Sequence, residues 1–142
     1  MRKFITISLT VLVLALPVAD AWAATNATTT KTKKKVVAQR FTGSLVQVDR
    51  WGTLQVTIVV RKTTVTTGTR KKVTRKTRSV AVPVYPNHTD RSVFINQNAL
   101  PTLRAEALRA QTANIDLVSG ATDTSDAFVQ SLQAAILKAK RA

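Results

Sequence analysis

Apolar residues recur at every second position in two stretches of the chain. The first stretch has them at Leu54, Val56, Ile58 and Val60, and the second at Val80, Val82 and Val84. A period of two places such side chains on one face of a β-strand, so each stretch is predicted to be a strand with one buried face. We expect the two strands to pair as an antiparallel hairpin with its turn at Thr67-Gly68.

Two shorter runs that favour β-structure precede this hairpin. They cover residues 36–41 and 45–48 and flank Thr42-Gly43-Ser44. The following residues 49–52, Asp-Arg-Trp-Gly, are predicted to form a turn before the next strand.

Helical spacing begins after a loop at residues 85–90. Apolar residues then recur every four positions, at Ile95, Ala99, Leu103 and Ala107. Asn98 is a candidate N-cap, with Pro101 tolerated in the first turn of the helix that follows. Two arrangements of residues 92–98 fit the sequence equally well: a separate short helix, or the beginning of one helix that contains Pro101.

A second amphipathic pattern, over residues 126–139, predicts the last helix. Its apolar stripe comprises Phe128, Leu132, Ala135, Ile136 and Ala139. Gln130, Gln133 and Lys140 fall on the opposite side. Strands followed by helices are typical of an α+β fold, here a small antiparallel sheet with a long basic β-hairpin, packed against C-terminal helices.

The N-terminal region divides into two segments ahead of this domain. Residues 1–23 combine basic Arg2 and Lys3, an apolar stretch and a small-x-small site at residues 21–23, as in a cleaved secretory signal. An uncleaved membrane anchor is the alternative, although Pro17 and Asp20 interrupt the apolar run. Residues 24–35 are rich in Thr and Lys and predict a disordered tether. One domain over residues 36–142 and an exported, extracytoplasmic location are therefore expected.

The charge is strongly positive and unevenly distributed. The 142 residues carry a formal net charge of +15 and no cysteine, which excludes disulfides, thiolate catalysis and Cys-based metal sites. Many of the basic residues lie in residues 31–40 and 61–79. Residues 61–79 contain almost nothing apolar, so we expect a solvated two-stranded ribbon or mobile loop. It could bind an anionic partner or be only a solvated insertion.

Residues 116–125, Asp-Leu-Val-Ser-Gly-Ala-Thr-Asp-Thr-Ser, are the clearest candidate for a functional site. Small and hydroxyl-bearing residues just before an amphipathic helix predict a tight turn into a helix N-terminus. Such a turn presents backbone N–H groups, hydroxyls and the positive end of the helix dipole, which suit a phosphate. A simple capped turn is the structural alternative.

The run Ser119-Gly120-Ala121-Thr122, three residues after Asp116 and followed by Thr124-Ser125, resembles the flavinylation motif of FMN-binding domains. That family includes subunits of the bacterial sodium-pumping NADH:quinone oxidoreductase. The resemblance covers roughly residues 41–139 and is strongest after residue 90, while the basic hairpin departs from it. It implies that FMN is joined to Thr122 by a phosphoester, and that a magnesium-dependent flavin transferase with FAD as donor makes the bond.

The neighbours of Thr122 have expected roles around the attached phosphate. Ser119, Gly120, Thr124 and Ser125 are expected to cradle the phosphate, while Gly120 and Ala121 leave space around it. Asp116 matches an acidic position of the motif that aids recognition by the transferase, or else makes an ordinary turn contact.

Other polar and aromatic residues have expected roles around this motif. The carboxylates of Asp123 and Asp126 are expected to cap the turn and point away from the phosphate. Trp51 and Tyr85 are candidates for the flavin ring, although core or sheet-edge packing explains them as well. His88, the only histidine, lies in a polar Pro-Asn loop and is therefore expected to be exposed. One histidine makes no metal site without help from carboxylates.

The leading hypothesis is an exported electron carrier with FMN on Thr122, acting between a membrane oxidoreductase and an extracytoplasmic acceptor. The sequence shows no acid/base constellation that favours an independent enzyme. The alternative is a basic binding module for an anionic cell-wall polymer or membrane surface, with residues 61–79 as the contact. Nucleic acid is the least expected partner, because aromatic residues are few and distant from the basic runs.

Overall fold

The structure is a computed structural model that describes residues 31–142. The predicted signal sequence, and all of the predicted tether before residue 31, lie outside the described residues. In residues 31–142, neither helix has the length and hydropathy that crossing a membrane requires.

Four strands are followed by two helices. In chain order the elements are β1 (Thr32–Thr42), β2 (Val46–Gln47), β3 (Thr53–Thr67), β4 (Arg70–Val84), α1 (Asp90–Ala110) and α2 (Thr122–Arg141). A short 3₁₀ helix, Asp49–Trp51, occupies the predicted turn before β3. The predicted α+β fold, with a small antiparallel sheet and C-terminal helices, is confirmed.

The central strand of the sheet is β3. It pairs antiparallel with β1 on one side and with β4 on the other, so that Ile58 lies between Phe41 and Val80. The short β2 pairs with the first residues of β3. The predicted β3–β4 hairpin is confirmed, with its turn at Gly68-Thr69, one residue later than predicted. Gly68, at φ 60°, provides the left-handed conformation that this tight turn requires.

The core lies between one face of β3 and the two helices. The period-two residues Leu54, Val56 and Ile58 are fully buried, and they share one hydrophobic cluster with Leu103 of α1 and Phe128 of α2. Burying each large apolar side chain contributes about 1.5–3 kcal/mol, so the predicted apolar stripes supply the main packing energy of the domain.

The first helix is continuous through Pro101, which settles the two arrangements in favour of one helix. The prediction of Asn98 as N-cap was wrong: the cap is Thr89, whose Oγ1 accepts a hydrogen bond from the Ser92 N–H at 3.1 Å. Thr89 has the extended backbone that a cap requires, whereas Asn98 lies inside the helix and donates to the Phe94 carbonyl at 2.7 Å.

The first strand begins earlier than predicted. Residues 32–35 were expected to belong to the tether, but they lie in β1, and Thr32 is opposite Thr67. The part of the sheet beyond the core is therefore a three-stranded ribbon and not the expected two-stranded one. Its pairing energy comes from the backbone ladder with β3, which a Lys-rich composition does not reveal.

The hydroxyl of Ser131, in α2, bridges β3 and the connection between β1 and β2. The Oγ of Ser131 accepts a hydrogen bond from the Val56 N–H at 2.8 Å and donates one to the Ser44 carbonyl at 2.7 Å. Beside it, the Gly43 N–H donates to the Val56 carbonyl at 2.7 Å. This junction holds α2 against β3 and leaves Gly43 buried against Ser131.

Candidate functional site

The helix α2 begins at Thr122, earlier than the amphipathic pattern predicted. Gly120 has a φ of 77°, and the Ala121 N–H donates to the Val118 carbonyl at 3.0 Å, so the chain turns tightly into the helix. Thr122 is the first helical residue and its side chain is exposed. The predicted turn into a helix N-terminus is confirmed at this position.

The beginning of α2 has the properties of an anion-binding end of a helix. Its first intrahelical hydrogen bond joins the Ser125 N–H to the Ala121 carbonyl at 2.9 Å. The N–H groups of Thr122, Asp123 and Thr124 precede that bond and so have no helical acceptor. These groups and the positive end of the helix dipole favour negative charge beside Thr122.

Two of the predicted cradle residues point into the protein. Thr124 and Ser125 are buried, with Ser125 fully inaccessible. The Ser125 hydroxyl donates to the Ala121 carbonyl at 2.8 Å and accepts from the Val118 N–H at 3.0 Å. Because the helix starts at Thr122, both side chains fall on its inward face. The Ser125 hydroxyl stabilises the turn, and the Thr124 hydroxyl donates to the Asn96 side chain.

Thr122 lies at a half-open cleft of about 130 Å³, which is bounded by the beginnings of α1 and α2 and by the 3₁₀ helix Asp49–Trp51. We call this the motif cleft. Its lining is formed by Val48, Trp51, Pro86, Arg91, Ser92, Ile95, Asn96 and the segment 120–124. Trp51 is half-buried there, and Arg50 lies over its ring, 5.2 Å from guanidinium carbon to ring centroid. Tyr85, the other aromatic candidate, is not part of this lining.

A buried amide fixes the relative positions of the cleft walls. The Asn96 side chain donates to the Pro86 carbonyl at 2.7 Å and accepts from the Thr124 hydroxyl at 3.2 Å. These bonds connect α1, the loop before it and the first turn of α2. Sequence reasoning missed Asn96, although Ser92 and Asn96 stand at helical spacing before the apolar Ala99, and polar residues on an inward face are a usable signal.

Arg91 is the second residue that the sequence did not reveal. Its exposed side chain is the only cationic one in the lining of the motif cleft, and Asp123 is the only anionic one. The expectation that the carboxylates of Asp123 and Asp126 would cap the turn was wrong, because α2 has no side-chain cap. Asp123 lies in the first turn and lines the motif cleft. Arg91 precedes the motif by a whole helix, so no local pattern connects the two.

The remaining predicted residues lie outside the lining or at its edge. Ser119 and Asp116 are exposed in the connection before α2, and neither lines the motif cleft, whereas Gly120 and Ala121 do. Asp126 is exposed beyond the first turn, and His88 is exposed, as expected.

The chain matches no protein-family model and no curated protein sequence. The site consists of an exposed hydroxyl at a helix N-terminus, beside a small cleft whose lining includes one aromatic ring and one arginine.

Proposed function

We propose that this protein is an exported electron carrier in which FMN is joined to Thr122 by a phosphoester and relays electrons between a membrane oxidoreductase and an extracytoplasmic acceptor. The observation that carries the proposal is the position of Thr122, the exposed first residue of α2 within the Ser-Gly-Ala-Thr motif. A transferase can reach this oxygen without unfolding the domain.

Attachment requires little chemistry from this chain. Thr122 Oγ1 attacks the phosphorus of the FMN half of FAD, so a P–O bond forms to Thr122. The pyrophosphate P–O bond breaks and AMP leaves, while the hydroxyl proton passes to a base of the transferase. In this reaction the base and the Mg²⁺ belong to the transferase, so Thr122 needs no general base of its own.

The residues around Thr122 fit a phosphate ester. The three N–H groups without helical acceptors and the Arg91 guanidinium provide donors and positive charge, and Asp123 opposes them with one negative charge. The space beside Gly120 is open, since a Cβ there would meet nothing within 4 Å, and glycine is favoured at this position by its φ of 77°.

The ring end of FMN fits the mouth of the cleft better than its interior. Pockets that enclose a ligand of this size measure about 300–1,000 Å³, which exceeds the 130 Å³ available. The ring would lie against the half-buried Trp51 and remain largely accessible. When bound, FMN supplies the redox chemistry, and an accessible ring suits electron exchange with large protein partners better than turnover of an enclosed substrate.

The flavin absorbance that remains with the denatured polypeptide tests this proposal. The protein is coexpressed with a magnesium-dependent flavin transferase, purified and denatured with guanidinium. We expect the yellow flavin absorbance to stay with the polypeptide through denaturing gel filtration. Flavin that elutes separately would mean that it binds without an ester, and a colourless protein would remove the flavin proposal altogether.

Replacing Arg91 by glutamine is expected to slow attachment about tenfold, because a charge-assisted hydrogen bond to phosphate contributes about 1.5 kcal/mol. The rate is measured from the flavin incorporated by a fixed amount of transferase. Arg109→Gln is the matched control, since Arg109 is also exposed on α1 and pairs with Glu106 at 3.4 Å, away from the cleft. Equal rates for the two variants would remove Arg91 from the phosphate site.

A further inference from the structure

The sheet extends beyond the core as a strongly basic projection at the end away from the motif cleft. It consists of residues 32–38 of β1, 61–67 of β3 and 70–76 of β4, and we call it the basic ribbon. Seven residues of extended chain span about 23 Å. Because β3 begins next to Trp51 and ends at the ribbon tip, the ribbon and Thr122 lie at opposite ends of the domain.

The basic ribbon contains ten cations, and within residues 31–142 none of them is paired with a side-chain carboxylate. Its basic residues are Lys33, Lys34, Lys35, Arg61, Lys62, Arg70, Lys71, Lys72, Arg75 and Lys76, and its three segments contain no acidic residue. In the part of the chain that the structure describes, the ion pairs are Asp49–Arg50 and Glu106–Arg109, neither of which involves the ribbon. Lys62 does donate a hydrogen bond to the Ala142 carbonyl, at 2.7 Å.

Protection of exposed strand edges does not explain this charge. Lysines on β1 and β4 would discourage edge-to-edge association. Arg61 and Lys62, however, lie on β3, which is paired on both sides. They stand directly opposite Lys76 and Arg75, and like charges in that arrangement destabilise a sheet. A bound polyanion would relieve this repulsion.

The charge is present on both faces of the basic ribbon. Thr66 has Lys33 and Lys71 as its partners on the two sides. The adjacent residue Val65 is flanked in the same way by Lys34 and Lys72. Directly opposite residues share a face and successive residues alternate between faces, so the two lysine pairs project in opposite directions.

Charge on both faces distinguishes a polymer from a membrane. A planar anionic bilayer contacts one face and leaves the other lysine pair in solution, whereas a flexible polymer can contact both. Threonines between the cations, at Thr63, Thr64, Thr66 and Thr74, add hydroxyl donors that suit phosphate oxygens. The three segments of the ribbon contain no aromatic residue on which a nucleobase could stack. We propose that the basic ribbon binds a linear polyol phosphodiester polymer, without nucleobases, along both of its faces, independently of any flavin on Thr122.

The test compares two double variants that differ only in the face they neutralise. Lys33→Thr/Lys71→Thr removes one pair and Lys34→Thr/Lys72→Thr removes the other; all four residues are exposed, and threonine favours strands. Arg50→Gln/Arg109→Gln, outside the ribbon, controls for the loss of two charges. Circular dichroism verifies folding. Binding of flavin-free protein to poly(glycerol phosphate) is measured against salt concentration.

Both ribbon variants are expected to bind more weakly, with the slope of log K against log salt reduced by about 1.4, while the control changes by less than about 0.3. A loss confined to one variant, or an equal loss in the control, would overturn the two-faced site. Binding to vesicles containing anionic phosphatidylglycerol that is tighter than binding to poly(glycerol phosphate) would favour a membrane. Tighter binding to single-stranded oligothymidine than to poly(glycerol phosphate) would favour nucleic acid. Binding to polyglutamate as tight as binding to poly(glycerol phosphate) would remove the preference for phosphate. Each of these three results would overturn the proposal.

Discussion

Replacing Gly43 by alanine is expected to lower the free energy of unfolding by about 3 kcal/mol, the upper part of the range for an overpacked core. A Cβ at this position would overlap the Ser131 backbone carbonyl and lie 2.6 Å from the Ser131 Oγ. The obstacle is backbone of α2, which no rotamer change can move. Relief requires shifting the helix and lengthening the Ser131 bonds to Val56 and Ser44.

Urea denaturation, followed by circular dichroism, measures this effect. The matched control is Ser44→Ala, at the next residue, whose side chain is exposed and whose carbonyl is retained; it is expected to change stability by less than about 0.5 kcal/mol. If Gly43→Ala and Ser44→Ala had the same midpoint, the close contact between Gly43 and α2 would not exist in solution.

The second large effect is expected at Thr122, where Thr122→Ala should abolish covalent flavin entirely. The substitution removes the one oxygen that forms the ester and leaves the exposed first position of α2 otherwise intact. Stability should change by less than about 0.5 kcal/mol, because alanine is a good helix former and α2 has no side-chain cap. Denaturing gel filtration with flavin fluorescence measures the attached fraction.

Two further variants distinguish a requirement for the Thr122 hydroxyl from an effect of the neighbouring residues. Thr122→Ser keeps the oxygen and is expected to retain attachment, while Ser119→Ala removes a nearby exposed hydroxyl and should leave attachment unchanged. Covalent flavin on Thr122→Ala would place the ester on another residue, and its loss in Ser119→Ala would show that Thr122 is not the only hydroxyl that matters.

Much of the fold follows from periodicity, because burial repeats with the geometry of each element. The alternating residues from Leu54 to Val60 and the stripe through Phe128 predict β3 and α2 by this principle. The beginning of β1 was missed, since residues 32–35 are stabilised by their ladder with β3 and bury nothing. Tertiary pairing of this kind leaves no mark in local composition.

The candidate site was likewise predictable from the sequence only in part. Thr122 and Gly120 belong to one local motif, which predicts the tight turn that the structure shows, with Thr122 exposed at the beginning of α2. Arg91 and Asn96 come from α1 and reach the cleft only through packing of the two helices. The hydroxyls of Thr124 and Ser125 were expected beside the phosphate, but both side chains are buried, because the beginning of α2 determines which hydroxyls face outward.

The central claim, that Thr122 carries FMN, is tested most directly by peptide mapping of the protein coexpressed with the flavin transferase. Trypsin cleaves after Arg109 and Lys138 and releases residues 110–138 as one peptide that contains every hydroxyl of the motif. We expect this peptide to gain the mass of FMN less one water, with fragment ions that place the gain on Thr122. An unmodified peptide, or a gain placed on Ser119, Thr124 or Ser125, would contradict the claim.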